Sequence, residues 1–536
     1  YMLTTKRALK QNEKEPFVSR TLKVWYKKAL EWALCYKKIV IGTSAALLIF
    51  TIVIMTGLGR SFLPPFNEGS LTINISTMPG VSLEESDNMG RMAEEILLDI
   101  PEIQTVARKT GRAELDEHAL GVNVSEMEAP FELDKRSRDE FLADVRQRLG
   151  ELKGVNIEIG QPISHRIDAM LSGTKANIAI KLFGNDLNKL YNIGGQIKEA
   201  IQGIDGIADL TLEQQIERPQ LQIKPKRDML AKYGIPLPEF SEFINVALSG
   251  KVVSQVYEGG KVFDLTVKVH DDDKANMEQI GNLMIDANGQ KVPLHYVAEI
   301  LPLVGPNTIS RENVQRKIVV SANVAGRDLN GVVKDIQKTV GEQITLPEGY
   351  HVEYGGQFES EQAASRTLFL TSVISILLIF LLLFNEFHSM PLSGIIMLNL
   401  PLAIIGGVLS IWFTSGIISI PAIIGFISLF GIATRNGILL VSHYNHLRSE
   451  GMSLHDSVVL GSLDRLNPIL MTALTSALAL IPLAVGGDLP GNEIQSPMAQ
   501  VILGGLLSST LLNGFVVPIM YLLLNHKQKE IENLEM

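Results

Sequence analysis

One guanidinium stands out against the longest uncharged stretch of the chain. Residues 389–434 carry no Asp, Glu, Lys or Arg, then comes Arg435, and 436–441 continue the run. A charge at such a depth costs roughly 2.5–3.5 kcal/mol on insertion scales, which marks it for a function rather than for packing. The plainer alternative is an anchor that snorkels to the interface, and the further apolar turn beyond Arg435 weakens it. Arginine stays protonated at neutral pH, so Arg435 cannot itself shuttle protons; it can act as a fixed cation that tunes a neighbouring carboxylate. No Asp or Glu occurs within the apolar stretches themselves. The carboxylate is therefore expected from a part of the polypeptide, or a subunit, outside this chain. Arg465, Thr472 and Thr475 open a later apolar stretch, where hydroxyls can orient water toward Arg435; an isolated Thr more often bonds back to its own helix. His443 and His446 read as interfacial.

A second set of residues could hold a cation. Glu114, Asp116, Glu117 and His118 are followed by Glu126, Met127 and Glu128, with Asp168 and Met170 beyond. Carboxylate, imidazole and thioether together suit a borderline or soft metal ion. A solvated charge run is the simpler reading of the same residues. There is no Cys cluster, no HExxH and no phosphate-binding loop. ATP is thus not a visible energy source, and no nucleophile–base constellation points to an enzyme.

The elements that must position these residues follow from where charge is missing. The chain has 536 residues, a net charge of −10 and 46% hydrophobic residues, averages that decide nothing. Uncharged stretches fill 39–59, 367–385, 389–434, 466–487 and 494–525. Each reaches about the 20 residues that span a bilayer, and the third has room for two passes. Six spans are expected, near 39–59, 367–385, 390–412, 417–442, 466–487 and 497–524. A soluble enzyme is excluded, as is a disordered or fibrous chain. One cysteine, Cys35, excludes a disulfide framework. The acidic balance speaks against nucleic acid as a partner. The first residue is Tyr1, so a longer parent polypeptide is expected.

Six spans put both ends on one side. Residues 1–38 hold ten Lys or Arg against three Glu, so the positive-inside rule places both ends in the cytoplasm. Residues 17–36 interleave Trp25, Trp32 and leucines with lysines, the pattern of a helix lying in the membrane interface and contacting lipid. Residues 61–365 are far too many for a loop and must fold outside the membrane. A strand–helix–strand pattern recurs there. Strand 71–76, a helix with Met89, Met92, Ala93, Ile96 and Leu97 on one face, and strand 104–107 come first. Strand 176–183, a helix with Leu190, Ile193, Ile197 and Ile201, and strand 207–212 come next. Strand 317–324, a helix with Leu329, Val332, Ile336 and Val340, and strand 351–354 complete it. Such units pack as ferredoxin-like α+β subdomains. Residues 218–310, with strands at 221–223, 261–269 and 282–286 and a turn at 236–238, read as an inserted domain. The expected division is 1–38 amphipathic helix, 39–59 first span, 60–175 first outer subdomain, 176–217 with 311–360 second outer subdomain, 218–310 insert, 366–525 five spans and 526–536 tail. The fold class is an α-helical membrane protein with a large outer α+β module.

Several segments resemble the carboxy-terminal half of a resistance-nodulation-division (RND) efflux transporter. The arrangement of one span, about 300 outer residues and five spans is similar over essentially the whole chain. So are GFISLFGIATRNGILLV (425–441) and RLNPILMT (465–472). The resemblance implies that Arg435 pairs with transmembrane acids of the missing amino-terminal half. It ties Arg465 and Thr472 to proton uptake. It also implies a homotrimer, a periplasmic membrane-fusion adaptor and an outer-membrane channel toward which the insert docks. Within the family, GQPISHRIDAMLSGTK (160–175) and GGQFE (355–359) look like the heavy-metal branch, which includes cobalt–zinc–cadmium and copper–silver pumps. Copper–silver members use a methionine cluster, and this chain has Asn74, Val124 and Ala169 at the matching places. Glu126 is retained, with Met127 and Met170 one residue away. That pattern points to a divalent cargo such as zinc, cobalt, nickel or cadmium, exchanged for protons in the inner membrane, with no resident cofactor. The rival readings are an RND pump for organic compounds and a non-transporting scaffold or secretion-assisting subunit.

Overall fold

The computed structural model describes residues 16–64, 66–78, 80–111, 121–133, 135–164, 166–167, 176–213, 217–306, 309–487, 489 and 491–535. Among these, six helices are long and apolar enough to cross a membrane: Lys37–Gly57, Gln357–Phe387, Met390–Phe413, Ile420–Ser449, Leu454–Val485 and Gln495–Asn525. Each overlaps one expected stretch. The second starts ten residues earlier than the 367 expected, so its first turns continue past the apolar segment. The third was expected to be continuous and is not. It breaks at Leu398 into Met390–Met397 and Asn399–Phe413, because Pro401 offers no N–H to the turn before it.

The third and sixth spans meet through glycine. A Cβ on Gly406 would lie 2.0 Å from the Gly504 carbonyl oxygen, and one on Gly504 would lie 2.4 Å from that of Gly406. Small residues of this kind let membrane helices approach backbone to backbone. Ser508 seals the contact by accepting from the Gly406 N–H (3.0 Å) and donating to the Leu402 carbonyl (2.9 Å). Before the first span, α1 (Phe17–Cys35) buries Leu30, Ala33 and Leu34 against the bundle. It leaves Trp25 and Trp32 exposed. Tyr26 Oη donates to the Gly514 carbonyl (2.7 Å), and Asn467 Nδ2 donates to Ser19 Oγ (2.7 Å), tying α1 to the fifth and sixth spans.

The chain divides into two compact units, one made of residues 1–77, 83–213 and 311–536, the other of 78–82 and 214–310. In the first unit, outside the spans, β1 (Ser70–Thr77), α2 (Leu83–Leu98), β2 (Ala107–Thr110), β3 (Val124–Pro130), α3 (Arg138–Leu149) and β4 (Val155–Gly160) form an antiparallel sheet in the order β2–β3–β1–β4. Leu71, Ile73, Ile75 and Met127 meet Ala93, Leu97, Phe141, Val145 and Leu149 in one core. Met92, expected on the buried face of α2, is exposed, and Ser86 and Gly90 take that side. The strand expected at 104–107 begins at Ala107 instead.

A second sheet repeats the plan with β5 (Ile178–Phe183), α4 (Leu187–Ile201) and β6 (Ile207–Leu212). All four apolar residues expected on α4 are buried, as α4 packs over the sheet. In the second unit, β7 (Glu217–Pro225) pairs with β12 (Ala298–Pro306). Between them lie a hairpin of β8 (Lys251–Glu258) and β9 (Lys261–Val267) and another of β10 (Met284–Ala287) and β11 (Gln290–Pro293). The turn expected at 236–238 instead opens helix α5 (Leu237–Leu248), with a proline in its first turn where no N–H is needed. Its core gathers Leu230, Phe240, Ile285 and Leu294. The first unit then resumes with β13 (Arg311–Glu312), β14 (Gln315–Val324), α6 (Leu329–Gln343) and β15 (His351–Gly356), and β14 pairs with both β5 and β6.

Candidate functional site

Arg435 lies midway along the fourth span, on a side of that helix that is exposed. Ile424, Ser428, Gly431, Arg435 and Ser442 are exposed at helical spacing and form a stripe too polar for lipid alone. Arg435 makes no hydrogen bond or ion pair with any described residue. Among the described residues no hydrogen bond or ion pair joins it to those grouped with it in the sequence. The Thr472 hydroxyl donates to the Pro468 carbonyl (2.9 Å) and that of Thr475 to the Met471 carbonyl (2.8 Å), the back-bonding habit of isolated threonines. Arg465 keeps its Nε buried and without a partner. His443, expected at the interface, is largely buried, and its Nε2 lies 3.2 Å from Asp464 beside Arg465.

Around Arg435 the spans hold polar groups that the sequence reading missed. Asn399, at the break in the third span, is fully buried, and both atoms of its amide lack a partner. It packs against Gly437, where a Cβ would fall 1.9 Å from its Nδ2. Asn436 and Asn513 are each 2% exposed, and the amide of Asn513 is likewise unpartnered. A signal existed: Thr510 and Asn513, three apart in an uncharged span, share one face.

The outer candidate site sits on the first sheet. Strand alternation turns Glu126 and Glu128 away from the helices and Met127 into the core. Met127 is 0% exposed among Leu71, Ile73 and Phe141, so its thioether is a packing group and not a ligand beside Glu126. Register places Lys109, Glu126, Asn74 and Glu158 in one row across β2, β3, β1 and β4. Within the row, Lys109 Nζ lies 2.6 Å from Glu126 Oε1, and Thr211 of the second sheet donates to Glu158 Oε1 (3.1 Å). Among the described residues no three of His, Cys, Asp and Glu converge as a metal site. Met170, Asp168, Ala169 and the stretch 114–118 lie outside the described residues.

Several charges elsewhere on this subdomain are closed into pairs. Arg136 forks onto Glu102 (2.7 and 2.6 Å) and also reaches Asp144 (2.7 Å). Hydrogen bonds from Arg136 hold both carboxyl groups below their ordinary range.

The chain is 34% identical over 534 residues to the cobalt-zinc-cadmium resistance protein CzcA of Cupriavidus metallidurans, covering 97% of this chain and 50% of that protein. It is 29% identical over 535 residues to the nickel-cobalt-cadmium resistance protein NccA of Alcaligenes xylosoxydans xylosoxydans (98% and 50%). It is 26% identical over 498 residues to the cation efflux system protein CusA of Escherichia coli K12 (90% and 47%). A crystal structure of a heavy metal efflux pump superposes with a TM-score of 0.80 at 27% identity, over 95% of this chain and 53% of that one. The chain thus spans about half the length of the curated relatives it matches. The family model for AcrB/AcrD/AcrF proteins matches residues 1–525. With six candidate spans among the described residues, two outer sheets each packed by helices and a guanidinium midway along the fourth span, this chain belongs to the AcrB/AcrD/AcrF family.

Proposed function

We propose that the chain is the carboxy-terminal half of a proton-driven RND exporter of divalent heavy-metal cations in the cell inner membrane. The observation that carries this reading is Arg435, a cation on a polar stripe of a membrane helix, without a partner among the described residues. A fixed charge there needs acids from the missing half, and protonation of those acids would change its pairing and shift the fourth and fifth spans. Arg465 and Thr472 would act in the relay only after rearrangement, since the Thr472 hydroxyl is engaged with its own helix. The names of CzcA and NccA support zinc, cobalt, nickel or cadmium as cargo, with protons as coupling ions and no resident cofactor. Glu126 would contribute a carboxylate once Lys109 is displaced. The order β2–β3–β1–β4 around two helices supports reading the outer subdomains as ferredoxin-like. Homotrimer assembly, a periplasmic adaptor and an outer-membrane channel complete the proposal.

The test supplies the missing half in a metal-sensitive host and measures tolerance to zinc, cobalt, nickel, cadmium, copper, silver and a panel of dyes. Arg435→Ala should abolish protection with assembly intact, and Arg435→Lys should keep part of it, since the charge persists without the planar fork. Wild-type protection by Arg435→Ala would remove the relay role. Protection against dyes alone would move the chain to the organic-compound reading.

A further inference from the structure

Helix α1 carries three differently furnished faces. Leu30, Ala33 and Leu34 are buried in the bundle. On one flank of that side Val18, Leu22, Trp25 and Trp32 recur at i, i+4, i+7 and i+14, each between 45% and 75% exposed. That spacing makes them one stripe along the helix. On the other flank Arg20 and Lys27 stand seven apart with Lys28 next to them, all exposed, and Val24 interrupts them. Residues 17–38 hold Arg20, Lys23, Lys27, Lys28, Lys37 and Lys38 against Glu31 alone.

The level of α1 decides what can cover these faces. Only Tyr36 separates it from the first span, which opens with Lys37 and Lys38. Its side is bonded to membrane helices. Tyr26 Oη donates to the Gly514 carbonyl, well inside the sixth span. Asn467 Nδ2, two residues past Arg465, donates to Ser19 Oγ. A surface held at that level meets the bilayer interface, the zone that indole rings favour. Contact with lipid is common to interfacial helices, and here the charge count adds a choice of headgroup. A zwitterionic headgroup would accept the aromatic stripe but bring no net charge to offset the cations. An anionic one does, since each Lys or Arg near the surface adds to the attraction. Long stems let those cations reach the phosphates while the indoles sit deeper.

We propose that α1 is a binding surface for anionic phospholipid, and that lipid charge sets the cytoplasmic part of the fifth and sixth spans through Ser19 and Tyr26. The second clause rests on the transport reading above; the first does not.

The experiment places the full-length pump in nanodiscs of phosphatidylcholine alone or of an equal mixture with phosphatidylglycerol, and reads thermal unfolding. Phosphatidylglycerol should raise the melting temperature by several degrees, and high salt should erase the rise by screening. The triple variant Arg20→Gln, Lys27→Gln, Lys28→Gln should lose most of the rise and keep the parent value in phosphatidylcholine. A rise equal to the parent's in that variant, or one that survives high salt, overturns the surface. Should the triple variant melt lower in phosphatidylcholine too, the salt response of the parent decides. Inorganic phosphate added to the phosphatidylcholine sample should have no effect; a matching rise would make the ligand a soluble anion and remove the lipid claim. For the second clause, export is measured in vesicles of the same two compositions. The parent should export several-fold faster with phosphatidylglycerol. Ser19→Ala with Tyr26→Phe should flatten that dependence while the rise in melting temperature persists. Undiminished lipid dependence in this pair overturns the link to the spans. Melting needs no transport, so failure of the lipid surface and failure of the transport reading are told apart.

Discussion

On the outer subdomain several charges of this chain answer one another; in the bundle several buried polar groups have no partner among the described residues. Glu126 faces Lys109, Glu102 and Asp144 share Arg136, and Arg108 is held by Asp87 and Glu94. Among the described residues Arg435 has no partner, and neither do Arg465 Nε or the amides of Asn399 and Asn513. Water is available to the outer groups, so an unpaired charge there would be tolerated and pairing is a small gain. In a bundle an unpaired group is expensive, so its persistence points to a partner outside this chain or to bound solvent. The outer site is closed and must be opened to bind a cation. The inner site is open and must be completed.

The contrast can be broken most strongly at Met127, which shares a strand with Glu126 but not its surroundings. Met127→Ala should destabilise the outer module by about 2–5 kcal/mol, the cost of a cavity in a core. Glu126→Gln, one residue away, should barely move it. Thermal unfolding in detergent, followed by circular dichroism, reads both; a similar effect at the two positions would deny that Met127 is a core residue. Gly437→Ala comes next. Its methyl would collide with the Asn399 amide, for an expected loss of about 1–3 kcal/mol, the usual range for overpacking. Adding Asn399→Ala should restore most of the loss, and a double variant no better than the single one would place the strain elsewhere. The smallest effect is expected at Arg136. It holds Glu102 and Asp144 below their ordinary values, so its contribution is present above about pH 4, where the unfolded carboxylates titrate. It is lost as pH falls through the lowered folded values. Arg136→Met should therefore melt below the parent at pH 7, with the gap closing in acid; a gap constant with pH would exclude the ion pairs as its cause.

The spans were legible because length and lack of charge alone decide them. The faces of α4 and α6 were legible for a similar reason, since one apolar stripe has one place to go. The strand expected at 104–107 lies at Ala107–Thr110 because it is an edge strand carrying Arg108 and Lys109, which natural edges favour and apolar patterns overlook. Met127 shows a subtler limit. Period-two alternation separates it from Glu126, but which of the two faces the helices cover is a tertiary fact. Arg435 was visible as a charge among apolar residues. Asn399 and Asn513 were not, because an amide in a span reads as a cap or a bridge until its surroundings show that nothing bridges it.

The glycine contact between the third and sixth spans has a mechanical consequence. With backbone against backbone at Gly406 and Gly504, and Ser508 bonded across the seam, there is no side chain between the two helices to act as a bearing. They are expected to travel as one rigid strut, and half or more of each apolar window is buried in the bundle. The second and fifth spans have only 6% of theirs buried, so any displacement set off at Arg435 has its free play there. Stiffness lies along one pair of helices and compliance along the other, which is how a lever differs from a spring.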